Sequence, residues 1–340
     1  MKILVTGCCG FIGSNFVRYI LAKHKDYRIV NIDKLTYAGN LENLKDVERD
    51  PRYEFVRGDI ADERLVVGLL EKHKEEKFDA LINFAAESHV DRSIMGGDDF
   101  IKTNIEGTHV LLKTAMDFGI PRFVQISTDE VYGSLHMDDP PFTEDNNIRS
   151  NSIYSASKAA ADLLARAFFK THGYFTVITR CSNNYGPYQF PEKIIPLFIS
   201  NLLENHEVPV YGDGMQVRDW IYVDDHSEAI DLVLQKGRPG EVYNIGADNE
   251  IANIILTKML LRHLNKPESL IRSVKDRPGH DRRYAINSSK IRAELGWRPR
   301  VDFETGLERT IKWYIDNREW WQRIKSGEYM HYYEKWYGNR

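Results

Sequence analysis

Short, uninterrupted runs of apolar residues alternate with amphipathic stretches along the first half of the chain. The apolar runs have the length and continuity typical of parallel strands that are buried on both faces. They lie at residues 3–5, 29–32, 53–57, 80–84, 123–127 and 175–179. The amphipathic stretches predict helices at 62–74, 103–118 and 158–171. This alternation predicts an α/β protein with a doubly wound parallel sheet, in which right-handed crossovers place helices on both faces.

The regular alternation of strands and helices ends near residue 180. Beyond it, loops rich in Asn, Gly and Pro interrupt shorter elements as far as the C-terminus. We therefore predict a first domain at residues 1–180 and a smaller C-terminal domain at 181–340. A helical pattern at 224–235 and an apolar run at 242–245 predict that parts of 224–250 return to the first domain.

The composition is that of a globular protein without a strong electrostatic bias. The 340 residues include 46 Lys plus Arg and 50 Asp plus Glu, so the formal net charge is −4. The sequence has no block of like charges, which argues against nucleic acid or an acidic membrane as a partner. No apolar run approaches the roughly 18 residues that a membrane-spanning helix needs. The three cysteines are too few for a disulfide framework and the eleven histidines have no metal-ligand spacing, so we expect a cytoplasmic protein without a metal.

Three closely spaced glycines follow the first predicted strand and open a helix. Gly7, Gly10 and Gly13 fit a tight turn, close approach of the backbone to a pyrophosphate, and close helix–strand packing. Asp33 ends the second predicted strand, 33 − 13 = 20 residues after the last glycine, where a carboxylate binds a ribose and repels a 2′-phosphate. This Rossmann-type pattern favours NAD over NADP, although Lys34 lies beside the acid. A glycine turn in an unrelated α/β protein is the alternative.

Tyr154 and Lys158 are four residues apart. If the segment from Tyr154 begins the helix that runs on through 159–162, both side chains lie on one helix face. A nearby ammonium stabilises the phenolate, so the tyrosine could act as a base well below its ordinary pKa of about 10. The same spacing is common in helices as a simple surface pair, and the pair by itself does not decide between the two.

Thr128, Asp129 and Glu130 follow the fifth predicted strand, at the edge where ligands bind in open α/β sheets. Two adjacent carboxyl groups there indicate an acid–base pair, one protonated and one ionised. Neighbouring residues of a strand point to opposite faces, so both groups reach one substrate only if the strand ends by Thr128 and the chain turns. An acidic pair at a helix N-terminus is the alternative.

Taken together, these motifs resemble those of the extended short-chain dehydrogenase/reductases that act on nucleotide sugars. The similarity runs from residue 1 to about Trp313. The Asp129–Glu130 pair resembles the pair that separates the dehydratases of this family from its 4-epimerases. The resemblance implies a Rossmann-type NAD-binding domain and a smaller C-terminal substrate-binding domain. Further stretches that carry it lie at 33–40, 85–93, 182–188, 191–196 and 276–284.

The resemblance implies a reaction on a dTDP-linked glucose with NAD as cofactor. Tyr154 would remove the proton of the C4 hydroxyl as hydride leaves C4, with Lys158 holding the nicotinamide ribose and Thr128 orienting the C4 oxygen. The C4 ketone acidifies the C5 proton, which Glu130 would take. Asp129, expected to have a raised pKa, would protonate the C6 hydroxyl as water leaves. Hydride then returns to C6, which gives a 4-keto-6-deoxy sugar and regenerates NAD.

The resemblance also implies binding residues. Those expected at the NAD site, besides the three glycines, are Phe11, Ile12, Asp33, Lys34, Leu35, Thr36, Asp59, Ile60, Ala85, Ala86, Thr103, Tyr154, Lys158 and Asn184. Those expected to bind the nucleotide sugar are Ser88, Thr128, Asn183, Lys193, Ile194, Pro209, Tyr211, Arg218, Asn253, Arg277 and His280. A diphosphate needs bidentate cationic partners, which the arginines offer. For a single arginine, a solvated position on the surface is the alternative to substrate binding. That alternative is weakest for the arginines of the cluster at 277–284.

Members of this family usually form homodimers through two helices, which here correspond to 103–118 and 158–171. We expect a homodimer. A 4-epimerase or decarboxylase with the same oxidising groups, and an NAD-binding regulator without activity, are the alternative functions. The identity of the nucleotide base follows from the resemblance alone. The apolar residues of the two helices also fit a core; they are Val110, Leu111, Leu112, Leu163, Leu164 and Phe168.

Two features depart from the family pattern or leave a role open. Cys8 and Cys9 stand where small Gly or Ala is usual. We expect inert packing, with oxidisable thiols of lowered pKa at a helix N-terminus as the alternative. The C-terminal segment is rich in aromatic residues, which we expect to pack against the second domain, with a partner surface as the alternative. These residues are Trp313, Trp320, Trp321, Tyr332, Tyr333, Trp336 and Tyr337.

Overall fold

A computed structural model describes residues 1–326, which form three β-sheets and the helices that pack around them. The strands are β1 (Lys2–Thr6), β2 (Arg28–Asp33), β3 (Tyr53–Arg57), β4 (Ala80–Asn83), β5 (Phe123–Thr128), β6 (Thr176–Cys181), β7 (Asn183–Tyr185), β8 (Val208–Tyr211), β9 (Val217–Tyr222), β10 (Val242–Ile245), β11 (Glu250–Ala252) and β12 (Ile271–Val274). Across this described part, no helix combines the length and apolar character that a bilayer crossing demands.

The helices differ widely in length. The α-helices are α1 (Phe11–Lys23), α2 (Glu63–Lys72), α3 (Val90–Met95), α4 (Asp98–Phe100), α5 (Thr108–Asp117), α6 (Ile153–His172), α7 (Ile194–Leu203), α8 (Val223–Lys236), α9 (Asn253–His263), α10 (Ser289–Leu295), α11 (Phe303–Asp316) and α12 (Arg318–Lys325). A π-helical segment, Ile101–Gly107, joins α4 to α5. Short 3-10 turns occur at Leu41–Leu44, Asp129–Tyr132 and Glu268–Leu270.

The large sheet of the described chain contains seven parallel strands in the order β10–β6–β5–β4–β1–β2–β3. The strand order reverses beside β1, since β2 and β3 continue on one side and β4, β5 and β6 on the other. In sheets of this type, ligands bind beyond the carboxyl ends of the strands at the reversal. The predicted fold class is therefore confirmed, and the site is expected near the ends of β1 and β4.

The predicted strands agree more closely with the structure than the predicted helices do. All six strands are present, and their ends differ from the predicted ends by two residues or fewer. Helix α6 begins at Ile153, five residues before the predicted start at 158. The reason is a capping box, in which Ser152 accepts the N–H of Ser155 and the Ser155 hydroxyl accepts the N–H of Ser152.

The second half of the chain builds a second apolar cluster and also returns to the large sheet. Two small sheets, β11–β9–β7 and β12–β8, lie outside the large one. Phe198, Trp220 and Leu256 belong to the cluster beside them. Strand β10 pairs in parallel with β6, and α8 contributes Ile230 and Leu234 to the apolar cluster of the large sheet. The domain boundary near residue 180 stays a prediction.

The aromatic residues near the C-terminus pack into the second cluster as far as the structure describes them. Trp320 and Trp321 are buried, and the ring of Trp313 lies 4.6 Å from that of Tyr188 between centroids. The indole N–H of Trp320 donates to Asn43 at 3.0 Å, which ties this segment to the first half of the chain. The remaining aromatic residues of the prediction lie outside the described residues; they are Tyr332, Tyr333, Trp336 and Tyr337.

Candidate active site

A cavity of about 270 Å³ opens at the carboxyl ends of β1, β2, β4 and β5, where the strand order reverses. Sixteen of the residues predicted to bind NAD line it: Gly7, Gly10, Phe11, Ile12, Gly13, Asp33, Lys34, Thr36, Asp59, Ile60, Ala85, Ala86, Thr103, Tyr154, Lys158 and Asn184. Leu35 is the exception, because its side chain packs against the apolar cluster of the large sheet. Its backbone, with φ of +59°, shapes the turn that follows β2.

The glycine turn after β1 brings the backbone against the neighbouring strand end. Gly7 has φ of +70°, in the region that favours glycine, and a Cβ there would lie 2.5 Å from Cα of Ala85. A Cβ on Gly13 would lie 2.6 Å from Cα of Cys8. Helix α1 begins directly after Gly10, which lines the cavity. A helix N-terminus in this position favours a bound phosphate.

Asp33 stabilises the loops around the cavity. Its Oδ2 accepts the N–H of Cys9 at 2.8 Å, and its Oδ1 accepts the N–H of Leu35 at 2.8 Å. Burial raises the pKa of Asp33, and these N–H groups oppose that effect. The ammonium of Lys34 lies 2.9 Å from Oδ2 of Asp59 and, against the effect of burial, lowers the pKa of that carboxyl. The position of Lys34 beside Asp33 in the sequence indicates a cation that could bind a 2′-phosphate. In the structure its ammonium pairs with Asp59, so it is less available to such a phosphate.

Cys8 and Cys9 are buried in the apolar cluster of the large sheet. Burial, followed by the charge of Asp33, raises the pKa of both thiols. A redox-sensitive cysteine needs an accessible thiol with a lowered pKa. Both observations therefore favour inert packing, which fills the space beneath the glycine turn.

Strand β5 ends at Thr128, and the chain turns at once into the 3-10 segment Asp129–Tyr132. The Thr128 hydroxyl accepts the N–H of Glu130 at 3.3 Å and donates to Oδ1 of Asp129 at 3.2 Å. Because the strand has already ended, the two acids no longer alternate across a sheet, and both line the cavity. The geometric condition for an acid–base pair is therefore met.

Asp129 and Glu130 lie in different electrostatic surroundings. Burial and the charge of Glu130 raise the pKa of Asp129, and its Oδ2 has no hydrogen-bond partner among the described residues. Burial also raises the pKa of Glu130, but the cations of Arg277 and Lys193 oppose that effect. The raised pKa predicted for Asp129 is confirmed. Asp129 therefore favours the protonated form more strongly than Glu130, whose strongest charge interactions are with cations.

Tyr154 and Lys158 lie on the buried face of α6, and both line the cavity. Burial lowers the pKa of Lys158 to about 8, against the charge of Asp162. Burial and the charge of Glu130 raise the pKa of Tyr154, so the predicted lowering of this pKa is wrong for this structure. The reason is that Nζ of Lys158 donates to the carbonyl oxygen of Ile126 at 2.6 Å, while the charge that acts most strongly on the phenol is a carboxylate.

A second cavity of about 140 Å³ adjoins the first, beside α7 and strands β8 and β9. Glu130, Asn183, Glu192 and Lys193 line both cavities, which therefore form one continuous site. Among the residues predicted to bind the nucleotide sugar, Ser88 and Thr128 line the first cavity and two of the shared residues line both. The others line the second cavity; they are Ile194, Pro209, Tyr211, Arg218, Asn253, Arg277 and His280.

The second cavity contains several cations with little access to solvent. Nη1 of Arg277 pairs with Oδ1 of Asp91 at 2.7 Å. Arg218 is buried and donates to two main-chain carbonyl groups, and Nζ of Lys193 donates to the carbonyl oxygen of Ser88 at 3.0 Å. Carbonyl oxygens are neutral, so these hydrogen bonds leave the positive charge of Arg218 and Lys193 available to attract an anion. A phosphate is the anion that such a set of guanidinium and ammonium groups binds well.

Three buried acids of the site were not predicted from the sequence: Glu87, Asp91 and Glu192. Oε1 of Glu192 accepts the hydroxyl of Tyr37 at 2.9 Å, and its Oε2 accepts Nε of Arg92 at 3.0 Å. All three acids lie in the stretches 85–93 and 191–196, which carried the resemblance. The resemblance therefore marked the segments that contain these acids. It did not show the side chains that pair with them, which come from other parts of the chain.

Comparison with known proteins agrees with this geometry. Residues 4–310 match a family model described as GDP-mannose 4,6 dehydratase. The chain is 51% identical to dTDP-glucose 4,6-dehydratase from Escherichia coli, over 97% of this chain and 98% of that protein. The chain belongs to the dTDP-glucose 4,6-dehydratase family. This assignment confirms the resemblance inferred from the motifs.

Solved structures of this dehydratase family have the same fold. DesIV from Streptomyces venezuelae, a dTDP-glucose 4,6-dehydratase solved with NAD bound, gives a TM-score of 0.91 at 50% identity, over 96% of this chain and 100% of that chain. The dTDP-glucose 4,6-dehydratase of Bacillus anthracis, solved in complex with NAD, gives a TM-score of 0.89 at 47% identity, over 96% of this chain and 100% of that chain. Fold, motifs and identity therefore agree along nearly the whole chain.

We predict that Gly7→Ala destabilises the protein and weakens NAD binding. The left-handed backbone and the contact with Ala85 both oppose a side chain at Gly7, so we expect a loss of about 2 kcal/mol or more in the free energy of unfolding. Gly68→Ala is the matched control, because a Cβ there meets nothing within 4 Å and lies inside α2. Chemical denaturation and calorimetric titration with NAD measure both effects. Equal stability and NAD affinity in the two variants would contradict the prediction.

Proposed function

We propose that the protein converts dTDP-glucose into dTDP-4-keto-6-deoxyglucose by oxidation at C4, loss of water across C5–C6 and return of hydride to C6. The observation that carries this proposal is that Asp129 and Glu130 line the same cavity as Tyr154 and Lys158. Oxidation at C4 needs a single base, whereas elimination of water also needs an acid and a base at two adjacent carbons. The four side chains together match the whole reaction.

The residues at the reversal of strand order fit NAD. Gly7 and Gly13 leave no space for a Cβ, α1 begins at the cavity wall, and Asp33 ends β2 beside it. Bound there, NAD would supply a hydride acceptor for C4 and a hydride donor for C6. Phe11 and Ile12, at the start of α1, would be among the residues that hold it.

Tyr154 is the base that takes the proton of the C4 hydroxyl. Its burial and the charge of Glu130 raise its pKa, so this step needs positive charge beside the phenol. Lys158, one helical turn further along α6, would supply that charge once its ammonium leaves the carbonyl oxygen of Ile126. Thr128, at the end of β5, also interacts with the phenol and is placed to orient the C4 oxygen.

Asp129 and Glu130 carry out the elimination. The ketone at C4 makes the C5 proton acidic enough for a carboxylate, so ionised Glu130 takes it. Asp129, which burial keeps protonated, gives its proton to the C6 hydroxyl, and the C–O bond breaks with release of water. Glu130 then returns a proton to C5 as hydride reaches C6. The different surroundings of the two acids support these opposite roles.

The cations of the second cavity are placed to bind the diphosphate of the substrate. Arg218, Arg277 and Lys193 are the groups concerned. The choice of thymine as the base rests on the relatives and not on a contact within this chain. The cytoplasm stays the predicted location, since the three cysteines of the chain are free and buried, as is usual in a reducing compartment.

Incubation of the protein with dTDP-glucose and NAD tests the proposal. We expect a 4-keto-6-deoxy product, detected by mass spectrometry and NMR, without net formation of reduced nicotinamide. A C4 epimer as the product would indicate the related epimerase reaction instead. Bound NAD without turnover of any nucleotide sugar would indicate a regulator.

We predict that Glu130→Gln and Asp129→Asn each spare C4 oxidation but lower product formation by about 100-fold or more, because each removes one proton-transfer group of the elimination. Reduced nicotinamide should therefore accumulate, and its absorbance measures this in single-turnover experiments. Glu241→Gln is the control, since this carboxylate pairs with Lys290 and lines neither cavity. Unchanged turnover in either amide variant would disprove the assignment.

We propose that two copies pair through α6 and the helical segment that precedes α5. Leu163 of α6 is 54% exposed and Ile101 of the π-helical segment is 44% exposed, although both are large and apolar. Leu111, Leu112 and Phe168, by contrast, are buried within the protomer and belong to its core. The exposed residues are thus the ones available to a partner.

Leu163→Glu is expected to convert a homodimer into monomers, because it places a charge in the proposed apolar contact. Ile255→Glu on α9 is the matched control, since Ile255 is 51% exposed and lies on another part of the surface. Sedimentation velocity gives the mass of each species. A monomeric wild type, or a dimer that both variants preserve, would argue against this contact.

A further inference from the structure

Behind the active site, one buried cation contacts both of the elements that carry the catalytic groups. Arg180 lies in β6, in register with Ser127 of β5 on one side and with Asn244 of β10 on the other. Its side chain is only 6% exposed. The guanidinium meets a carboxylate of α6 and an aromatic ring at the end of the Asp129–Tyr132 turn. The reaction scheme above uses neither contact.

On the helix side, Arg180 holds α6 through Asp162. Nε of Arg180 donates to Oδ2 of Asp162 at 2.9 Å, and the Asp162 side chain is 1% exposed. Asp162 lies four residues after Lys158 and therefore on the same face of the helix. Its Oδ1 has no hydrogen-bond partner within residues 1–326. The guanidinium is thus the group that balances this buried carboxylate and fixes the helix against β6.

On the turn side, Arg180 holds the carboxyl pair through Tyr132. The guanidinium lies 4.7 Å from the centroid of the Tyr132 ring, within cation–π distance. Tyr132 is buried and is the last residue of the turn that begins with Asp129. Its ring stacks on Phe142 at 5.0 Å, and its hydroxyl donates to Oδ1 of Asn244 at 2.8 Å. The end of the turn is therefore anchored to two strands of the large sheet.

We propose that Arg180 is a positioning residue that sets the separation between Tyr154 on α6 and the pair Asp129–Glu130, acting through Asp162 on one side and Tyr132 on the other. The inference rests on the proposed function, in which Tyr154 acts at C4 while the two acids act at C5 and C6 of the same sugar. Because the sugar fixes the distance between these carbons, the protein has to fix the distance between the two elements.

The two half-reactions depend on this separation to different degrees. Oxidation at C4 uses Tyr154 and Lys158 on α6 and Thr128 at the end of β5, whereas elimination also needs the turn after Thr128 in its correct place. A misplacement of about 1 Å costs on the order of 100-fold in rate. Loosening the turn while α6 stays in place should therefore slow elimination more than oxidation. A general loss of stability would lower both rates together.

The first test compares Tyr132→Leu with Tyr132→Phe. The leucine variant removes the ring beneath Arg180 and leaves the ion pair with Asp162. The phenylalanine variant keeps the ring and its cation–π contact, and it loses the hydroxyl and its hydrogen bonds with Asn244 and Arg180. Rapid mixing with dTDP-glucose follows oxidation by the absorbance of reduced nicotinamide and elimination by quenched product analysis. We expect Tyr132→Leu to slow elimination relative to oxidation by on the order of tenfold or more. Tyr132→Phe should keep the wild-type ratio.

The second test removes both partners of the ion pair. The buried ammonium of Lys158 also loses the charge of Asp162, so the ratio of elimination to oxidation, and not either rate alone, is the readout. In the double variant Arg180→Met with Asp162→Asn both charges are lost, so the fold should persist, which circular dichroism and NAD affinity check. We expect reduced nicotinamide to accumulate, as in Tyr132→Leu. Asp231→Asn is the control, because Asp231 is equally buried but pairs with His24 beside α1, and it lines neither cavity.

Two results would overturn the positioning role. One is an equal loss of oxidation and elimination in Tyr132→Leu, or a wild-type ratio in the double variant. The other is a crystal structure of Tyr132→Leu in which the separation between the Tyr154 hydroxyl and the Glu130 carboxylate is unchanged. This measured separation does not depend on enzymatic activity, so it tests the positioning role of Arg180 independently of the proposed function. Failure of the wild-type protein to turn over dTDP-glucose would instead contradict the proposed function.

Discussion

The carboxyl edge of the parallel sheet is the constraint on which the rest of the structure depends. Because the seven strands of the large sheet run in one direction, the segments that leave their carboxyl ends all meet at one edge. The reversal of strand order beside β1 opens a gap there. The glycine turn, Asp33 and Thr128 reach this gap from the ends of three different strands. A cofactor, a base and two carboxyl groups can thus converge, although they come from separate parts of the chain.

Burial then decides the charge state of the groups that meet at this edge. Burial raises the pKa of both carboxyl groups, but the strongest charge acting on Asp129 is another carboxylate, whereas the strongest charges acting on Glu130 are cations of the second cavity. Lys158 donates to the main chain of β5, so the phenol of Tyr154 depends on added positive charge before it can act as a base. One desolvated environment can therefore favour different charge states of two adjacent acids, because their charged neighbours differ.

Local patterns predicted the strands well and the helices less well. A strand buried on both faces needs a short apolar run, which stands out in the sequence, and the observed ends are close to the predicted ones. The start of α6 depends instead on Ser152 and Ser155, a capping box without the glutamate that usually marks one. In the site, the predicted binding residues apart from Leu35 line the two cavities. The buried acids Asp91 and Glu192 were missed, because their arginine and tyrosine partners are distant in sequence.

The sequence by itself determined the fold class, the family, and which side chains were candidates for the chemistry. The fold class and the candidate side chains follow from local order: the length of an apolar run, the spacing of three glycines, and two residues one helical turn apart. The family follows from the resemblance of the motifs to those of known proteins. Only the tertiary structure decided that β5 ends at Thr128, that Leu111 is core while Leu163 is exposed, and that the thiols of Cys8 and Cys9 are buried. Each of these depends on desolvation and contacts between distant segments, which the order of residues does not display.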